Sequence, residues 1–303
     1  MSDRFCTLER EVEVVGVGLH SGQNVRARLR PATHMGIVFV RADLPGSPRV
    51  EADLTNVSAT THATTLRNGA ASVQTVEHLL AALWASGLTH IEVELDGPEV
   101  PILDGSARGW LEALEDVGRV ELPLSSGARP LARLTAPLWI EGTGGAQMLG
   151  LPLDSPDETP IFRLSVAVDF GVTGAGAGSF DGVVNAQSFA KELAPARTFT
   201  LEKWLEPLRS AGLIRGGSLD NALLIRGDGT ISHPLRFDNE LARHKALDVV
   251  GDLALALCPT GARFAGHIIA LKAGHEAHRN FATRALSSGA LVAKQRPPLP
   301  VSS

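Results

Sequence analysis

The chain has 303 residues, 44% hydrophobic and 20% charged, the balance of an ordinary soluble globular protein, and its length suits two domains of about 150 residues each. A net charge of -5 argues against a broad nucleic-acid surface, and two cysteines, Cys6 and Cys258, argue against a disulfide framework. No window reaches the ~18 to 20 apolar residues of a membrane span, and the charged opening MSDRFCTLEREVEV holds no apolar signal core, so the expectation is a cytoplasmic protein with no stable membrane insertion and no nucleic-acid partner.

In chain order, Arg10 to Arg30 reads as a β-hairpin. EVEVVGVGLHSG alternates and turns at Gly16, Gly18 and Gly22; NVRARLRP then alternates with Val25, Ala27 and Leu29 inward. The turn exposes His20, which suits a structural loop histidine at least as well as a functional one. Gly36 to Arg41 is a short strand, and Val57 to Leu66 (VSATTHATTL) a β-branched strand whose His62 suits a structural role better than a ligand's. Val73 to Leu88 predicts a helix capped by Ser72 or Thr75, ended by Gly87, and burying Val76, Leu79, Leu80, Leu83 and Trp84. Glu77 and His78 fall near its first turn. Such a pair can place a general base beside a metal ligand, but adjacent helix residues diverge by ~100°, and taken alone the pair suits an exposed surface better.

His90 to Leu95 is a strand, the turns Asp96-Gly97-Pro98 and Asp104-Gly105-Ser106 bracket another, and Ala107 to Val117 is a second helix. Leu122 to Pro130, LPLSSGARP, has linker composition, which divides the chain into a domain at 1–124, a linker at 125–130, a domain at 131–295 and a disordered tail at 296–303. The second half opens on a hairpin from Leu138 to Leu151 and a strand from Phe162 to Val168. Gly171 to Gly182 reads as a flexible glycine-rich loop without the lysine and serine of a phosphate-binding loop. A short helix at Ala186 to Leu193, a helix from about Leu201 to Ala211, and a strand from Ser218 to Arg226 follow. Arg263 to Leu271 is a strand delivering His275 and His278, and Phe281 to Ala293 a last helix. Both halves thus read as strand-rich openings followed by helices, two domains of similar α+β build.

Glu240 to Leu253, ELARHKALDVVGDL, carries the clearest chemistry. His244, Asp248 and Asp252 recur every four residues, and each step advances only ~40° around a helix, so they line one face. Imidazole and carboxylate at that spacing make half of a divalent metal site; a solvated helix with His–Asp hydrogen bonds has the same spacing.

Taken together, TVEHLLAAL (Thr75 to Leu83), ARTF (Ala196 to Phe199), GGSLDNA (Gly216 to Ala222), RHKALDVVGDL (Arg243 to Leu253) and AGH (Ala273 to His275), with GVGLHSG and PEVPILDGSA before them, resemble the UDP-3-O-acyl-N-acetylglucosamine deacetylase family, the metal-dependent amidases of lipid A synthesis. The resemblance extends to about Lys294. It implies two similar α+β domains, each a sheet layer and a helix layer, with the helices packed between the two sheets and the site at the junction. It implies a zinc ion, or ferrous iron, on His78, His244 and Asp248, with Glu77 as general base, His275 as acid, Asp252 holding the His275 ring and Thr198 donating to the oxyanion. Lys245, Phe199, Gly217 and Ser218 would contact the UDP-linked acylated amino sugar, and the enzyme would act as a monomer. The chain departs from the family pattern after Asp169-Phe170, where no His-Pro follows, and near Gly145, where a lysine is usual. Those departures leave two alternatives: an amidase for a different N-acetyl sugar, and a non-catalytic zinc-stabilised sugar-nucleotide binder.

Overall fold

The alternating segments of the first half form β-sheet in the computed structural model, which describes residues 3–123, 127–153, 159–172 and 176–294. They are β1 (Cys6–Leu8), β2 (Val12–Val17), β3 (Asn24–Pro31), β4 (Gly36–Arg41), β5 (Arg49–Glu51), β6 (Val57–Ala59), β7 (Thr65–Asn68), β8 (Ala71–Val73), β9 (His90–Leu95) and β10 (Arg119–Glu121), with helices α1 (Glu77–Ala85) and α2 (Arg108–Val117). The principal sheet runs β2-β3-β9-β4-β5, with β4 and β9 parallel and the other pairs antiparallel. On β3, Val25, Ala27 and Leu29 are buried and Asn24 and Arg26 exposed, as period-2 alternation requires of a sheet with one wet face.

The second half contributes β11 (Leu131–Leu134), β12 (Leu138–Glu141), β13 (Gln147–Leu151), β14 (Phe162–Asp169), β15 (Ala177–Val183), β16 (Phe199–Leu201), β17 (Leu223–Ile225), β18 (Arg263–Leu271) and β19 (Leu291–Lys294). Its helices are α3 (Ala186–Ser188), α4 (Glu202–Ser210), α5 (Glu240–Leu257) and α6 (His275–Ser287). Seven strands make the second sheet, ordered β12-β13-β18-β11-β19, with β14 joined to β18 and β15 to β14. The fold is α+β, with the helices packed between the sheets. α5 packs on β14 and β15 and against α1 and α6, and α1 packs also on α2. Leu241, Leu247, Val249, Val250, Leu253 and Leu255 are buried and occupy no single stripe, so α5 is enclosed rather than amphipathic.

One glycine permits the closest approach. A Cβ on Gly251 would lie 2.1 Å from the Glu77 carbonyl oxygen, so α5 passes the first turn of α1 only because residue 251 has no side chain. That contact sets the carboxylate–imidazole pair at the start of α1 over the His–Asp face of α5.

Several elements differ from the sequence reading. The segment from Val57 to Leu66 is not one strand but β6 and β7, separated by a loop in which His62 has φ 63°. α1 begins at Glu77 rather than Val73, and neither Ser72 nor Thr75 caps it. Thr75 has φ 57° and gives its hydroxyl to the fully buried Glu99 at 2.7 Å, since a buried carboxylate must find donors. Between Asp96 and Asp104 there is one bridge, Gln74 to Glu99, and no strand. The glycine-rich run is ordered from Ala177 onward as β15, paired along β14 from Arg163 to Asp169; residues 173–175 lie outside the described residues. Of the Ser218 to Arg226 segment only β17 is strand, because Asn221 Oδ1 accepts the Ser218 N–H at 2.8 Å and closes a turn. α5 runs four residues past Leu253. α6 starts at His275, not Phe281, and ends at Ser287, after which Gly289 (φ 71°) turns the chain into β19. Linker residues 125–126 and the tail at 296–303 lie outside the described residues. No helix among the described residues is long and apolar enough to cross a membrane.

Candidate active site

A cleft of about 610 Å³ opens where the two halves meet, lined by residues of both. Its polar floor comes from three helix segments. α1 supplies Glu77 and His78 from its first turn, α5 supplies His244, Lys245 and Asp248, and α6 supplies His275 as its first residue. The helical spacing puts His244 and Asp248 one turn apart on α5.

His78 Nε2 and His244 Nε2 stand 3.6 and 3.5 Å from Asp248 Oδ1, the two rings meet edge to face at 5.0 Å, and all three side chains are buried. Asp248 Oδ1 makes no hydrogen bond among the described residues. His244 Nδ1 lies 3.1 Å from the Ala196 carbonyl oxygen, which can only accept, so the proton sits on Nδ1 and the Nε2 lone pair faces Asp248. Burial pushes the His244 imidazole down to about 3 against the pull of Asp248, so it is neutral. Asp248 is held well below the usual carboxylate range: burial opposes this, but the Lys245 ammonium, 2.7 Å from Oδ2, prevails. One neutral imidazole with its lone pair inward, a second imidazole and an ionised carboxylate oxygen, all buried, form a donor set for a divalent cation. Ligands of a tetrahedral zinc with bonds of ~2.0–2.1 Å stand ~3.3 Å apart, close to the two spacings here. The residues therefore fit a metal ion of this kind.

Glu77 and His275 adjoin this group, His275 Nε2 lying 3.9 Å from Glu77 Oε1 and 4.0 Å from Asp248 Oδ2. Burial raises the Glu77 carboxyl above its ordinary value, with His275 and His78 pulling it back. Burial would lower His275, but Asp252 and Glu77 outweigh it and hold the imidazole at about 9. Asp252 does not line the cleft. It stands behind His275, with Oδ2 2.8 Å from His275 Nδ1.

The other residues singled out from the sequence line the cleft walls. Thr198 is half-buried, held by its N–H to the Gly105 carbonyl at 2.7 Å. That approach needs a glycine, since a Cβ on Gly105 would lie 2.1 Å from Asn221 O. Phe199 meets Phe170 edge-on at 5.1 Å and Phe170 meets Trp204 at 6.0 Å, so three aromatic rings make one wall. Lys245 reaches the cleft with its ammonium 5.7 Å from the Phe199 ring, and Gly217 and Ser218 are exposed cleft-lining residues.

Some cleft residues had little or no signal in the sequence. His20 is 5% exposed, lines the cleft, and neither ring nitrogen is hydrogen-bonded; its backbone N–H instead joins Ser21 and Thr75 in holding Glu99. His62 lines the cleft from its loop. His278 is wholly buried behind Asp252, 2.7 Å from Oδ2. Its spacing of three from His275 was visible, but only with the helix start at His275 does that spacing mean one face.

The chain matches the family model described as UDP-3-O-acyl N-acetylglycosamine deacetylase over residues 6–287. Among curated proteins it is 41% identical to the UDP-3-O-acyl-N-acetylglucosamine deacetylase of Nostoc sp., over 93% of this chain and 98% of that one. It is 42% identical to that of Trichormus variabilis, with the same coverage, and 40% identical to that of Bdellovibrio bacteriovorus, over 89% of this chain and 85% of the relative.

Proposed function

Because the chain belongs to the UDP-3-O-acyl-N-acetylglucosamine deacetylase family, we propose that it hydrolyses the acetamide of a UDP-linked, 3-O-acylated N-acetylglucosamine to the free amine and acetate, the committed step of lipid A synthesis. The observation that carries this reading is the convergence of Glu77 and His275, 3.9 Å apart, beside the buried His78–His244–Asp248 donor set at the cleft floor. His78, His244 and Asp248 would hold zinc. Bound there, zinc supplies Lewis-acid polarisation of the amide carbonyl and makes water more acidic.

This chain's own groups do the rest. The Glu77 carboxylate takes the proton of the attacking water, a task suited by a carboxyl that burial has made more basic. The Thr198 hydroxyl donates to the carbonyl oxygen as negative charge grows on it. His275 gives its Nε2 proton to the departing nitrogen, and Asp252 behind it fixes the ring with Nε2 toward the cleft. Lys245, tied to Asp248, presents a positive charge at the cleft edge, with the Phe199 ring beside it for the sugar or nucleotide. Gly217 and Ser218 offer backbone and hydroxyl contacts on the rim. In this proposal the two domains are 1–124 and 131–295, the enzyme is a cytoplasmic monomer, and substrate enters from solution.

Acetate release from UDP-3-O-acyl-N-acetylglucosamine by the purified protein, with and without chelator and zinc add-back, tests the reading. Chelator-sensitive release restored by zinc supports it; no release from metal-loaded protein across several acyl lengths sinks it. The glycine-rich β15 and the Gly145 turn favour one second reading, an amidase of the same chemistry for another N-acetyl sugar. A preference for such a sugar in the same assay would select it.

A further inference from the structure

Asp252 engages more than His275. Its Oδ2 stands 2.8 Å from His275 Nδ1 and 2.7 Å from His278 Nδ1, and its Oδ1 accepts the Thr64 hydroxyl at 2.6 Å. Thr64, Asp252 and His278 are 1%, 2% and 0% exposed. His278 Nε2 has no hydrogen-bond partner among the described residues, and the bond to Asp252 is the side-chain hydrogen bond this ring makes there. A carboxylate accepts, so the proton of the neutral imidazole lies on Nδ1. Burying a ring nitrogen bare costs free energy that an apolar residue of similar size would avoid, and the bond to Asp252 is the compensating contact. Thr64 is tied a second time: its backbone N–H donates to Glu77 Oε2 at 3.1 Å. One residue thus touches the carboxylate behind the acid and the carboxylate of the base.

We propose that His278 and Thr64 are positioning residues, a clamp on both oxygens of Asp252 that fixes the His275 ring in the orientation proton transfer needs. A carboxylate with one partner can rotate; three donors on two oxygens hold its plane, and with it the direction of His275 Nε2 toward Glu77. The kinetic consequence rests on the deacetylase reading, whereas the clamp itself is observable without substrate.

The test uses the zinc-loaded full chain and three variants, His278→Asn, His278→Phe and Thr64→Val. Two readouts are needed: steady-state kinetics on UDP-3-O-acyl-N-acetylglucosamine, and imidazole N–H signals of ¹⁵N-histidine-labelled protein. His278→Phe lowers kcat about 10- to 100-fold, the usual loss on removing an outer-shell partner, and leaves KM nearly unchanged. His278→Asn, which still offers an N–H to Asp252, restores most of kcat. Thr64→Val lowers kcat less and keeps the backbone bond to Glu77. Wild type shows two slowly exchanging Nδ1–H signals, and that of His275 broadens in His278→Phe and returns in His278→Asn. Unchanged kcat in His278→Phe, or equal losses in Phe and Asn with the His275 signal unaltered, overturns the proposal. If His278→Phe does not fold, Thr64→Val decides: unchanged kcat and an unchanged His275 signal overturn the clamp. Wild type with both signals and no acetate release overturns the deacetylase reading and leaves the clamp standing.

Discussion

Two groups, each of two histidines and one aspartate, are built on aspartates one helical turn apart on α5, and their chemistry differs. Around Asp248, the imidazole Nε2 atoms of His78 and His244 stop 3.6 and 3.5 Å from an oxygen that makes no hydrogen bond among the described residues. Around Asp252, the Nδ1 atoms of His275 and His278 close to 2.8 and 2.7 Å, hydrogen-bond distances. In the first group two imidazole nitrogens and a carboxylate oxygen converge beyond hydrogen-bond distance, a spacing suited to sharing a cation. In the second the protons already lie between donors and acceptor, and a cation would have to displace them. Residue composition is the same; which ring nitrogen faces the carboxylate, and how closely, separates the open donor set from the hydrogen-bonded one.

The largest effect that would break this contrast is on the metal. Asp248→Ala is expected to lose bound metal and activity together, read by metal analysis and acetate release; full zinc occupancy would remove Asp248 from the donor set. Glu77→Gln sharpens the contrast by keeping the metal while lowering kcat about 10²- to 10⁴-fold. Asp252→Asn should also keep the metal and cost about 10- to 100-fold in kcat, since it acts through His275. Metal loss in Asp252→Asn would show that the two groups are one site. Gly251→Ala attacks the approach that brings α1 onto α5. It should destabilise the protein by about 1–3 kcal/mol and weaken metal binding, because the added Cβ pushes Glu77 and His78 off α5. Denaturant midpoint and metal affinity measure the two effects.

The smallest effect falls outside both groups, at the head of α5, where the buried Glu240 pairs with Arg197 at 2.8 Å. Burial would raise this carboxyl, but Arg197 and the Arg236 and Arg197 backbone N–H groups lower it overall. Its folded pKa lies below its unfolded one, so its stabilisation is fully present above the ordinary glutamate range and is lost as pH falls through the lowered value. Unfolding free energy measured against pH should therefore show a shallower acid decline in Glu240→Gln than in wild type. Parallel declines would mean that the pair contributes nothing to acid stability.

Much of the architecture was legible in the sequence. The hairpin of β2 and β3, the alternation on β3, the glycine turn before β13 and the helix from Glu240 all follow from local sequence, whereas the burial of that helix on all faces does not. Less legible were elements whose backbone serves a distant partner. Thr75 adopts a left-handed conformation to reach Glu99, which delays α1 to Glu77. Glycine content made Gly171 to Gly182 look like a loop, whereas pairing to β14 makes a strand of its second half. The start of α6 at His275 follows a glycine with no side-chain cap to mark it.

By itself the sequence determined that His244, Asp248 and Asp252 share a face of one helix, because 3.6 residues per turn is a local property. It also put Glu77 beside His78. Only the tertiary structure decided that these two segments meet, at Gly251, and that the three residues of the stripe divide, Asp248 facing His78 and His244 while Asp252 is taken by His275, His278 and Thr64. The Thr64–Asp252 bond spans 188 residues. No periodicity extends over such a distance; the bond exists because two halves of the chain bury their helices against each other and the polar groups enclosed there must find partners.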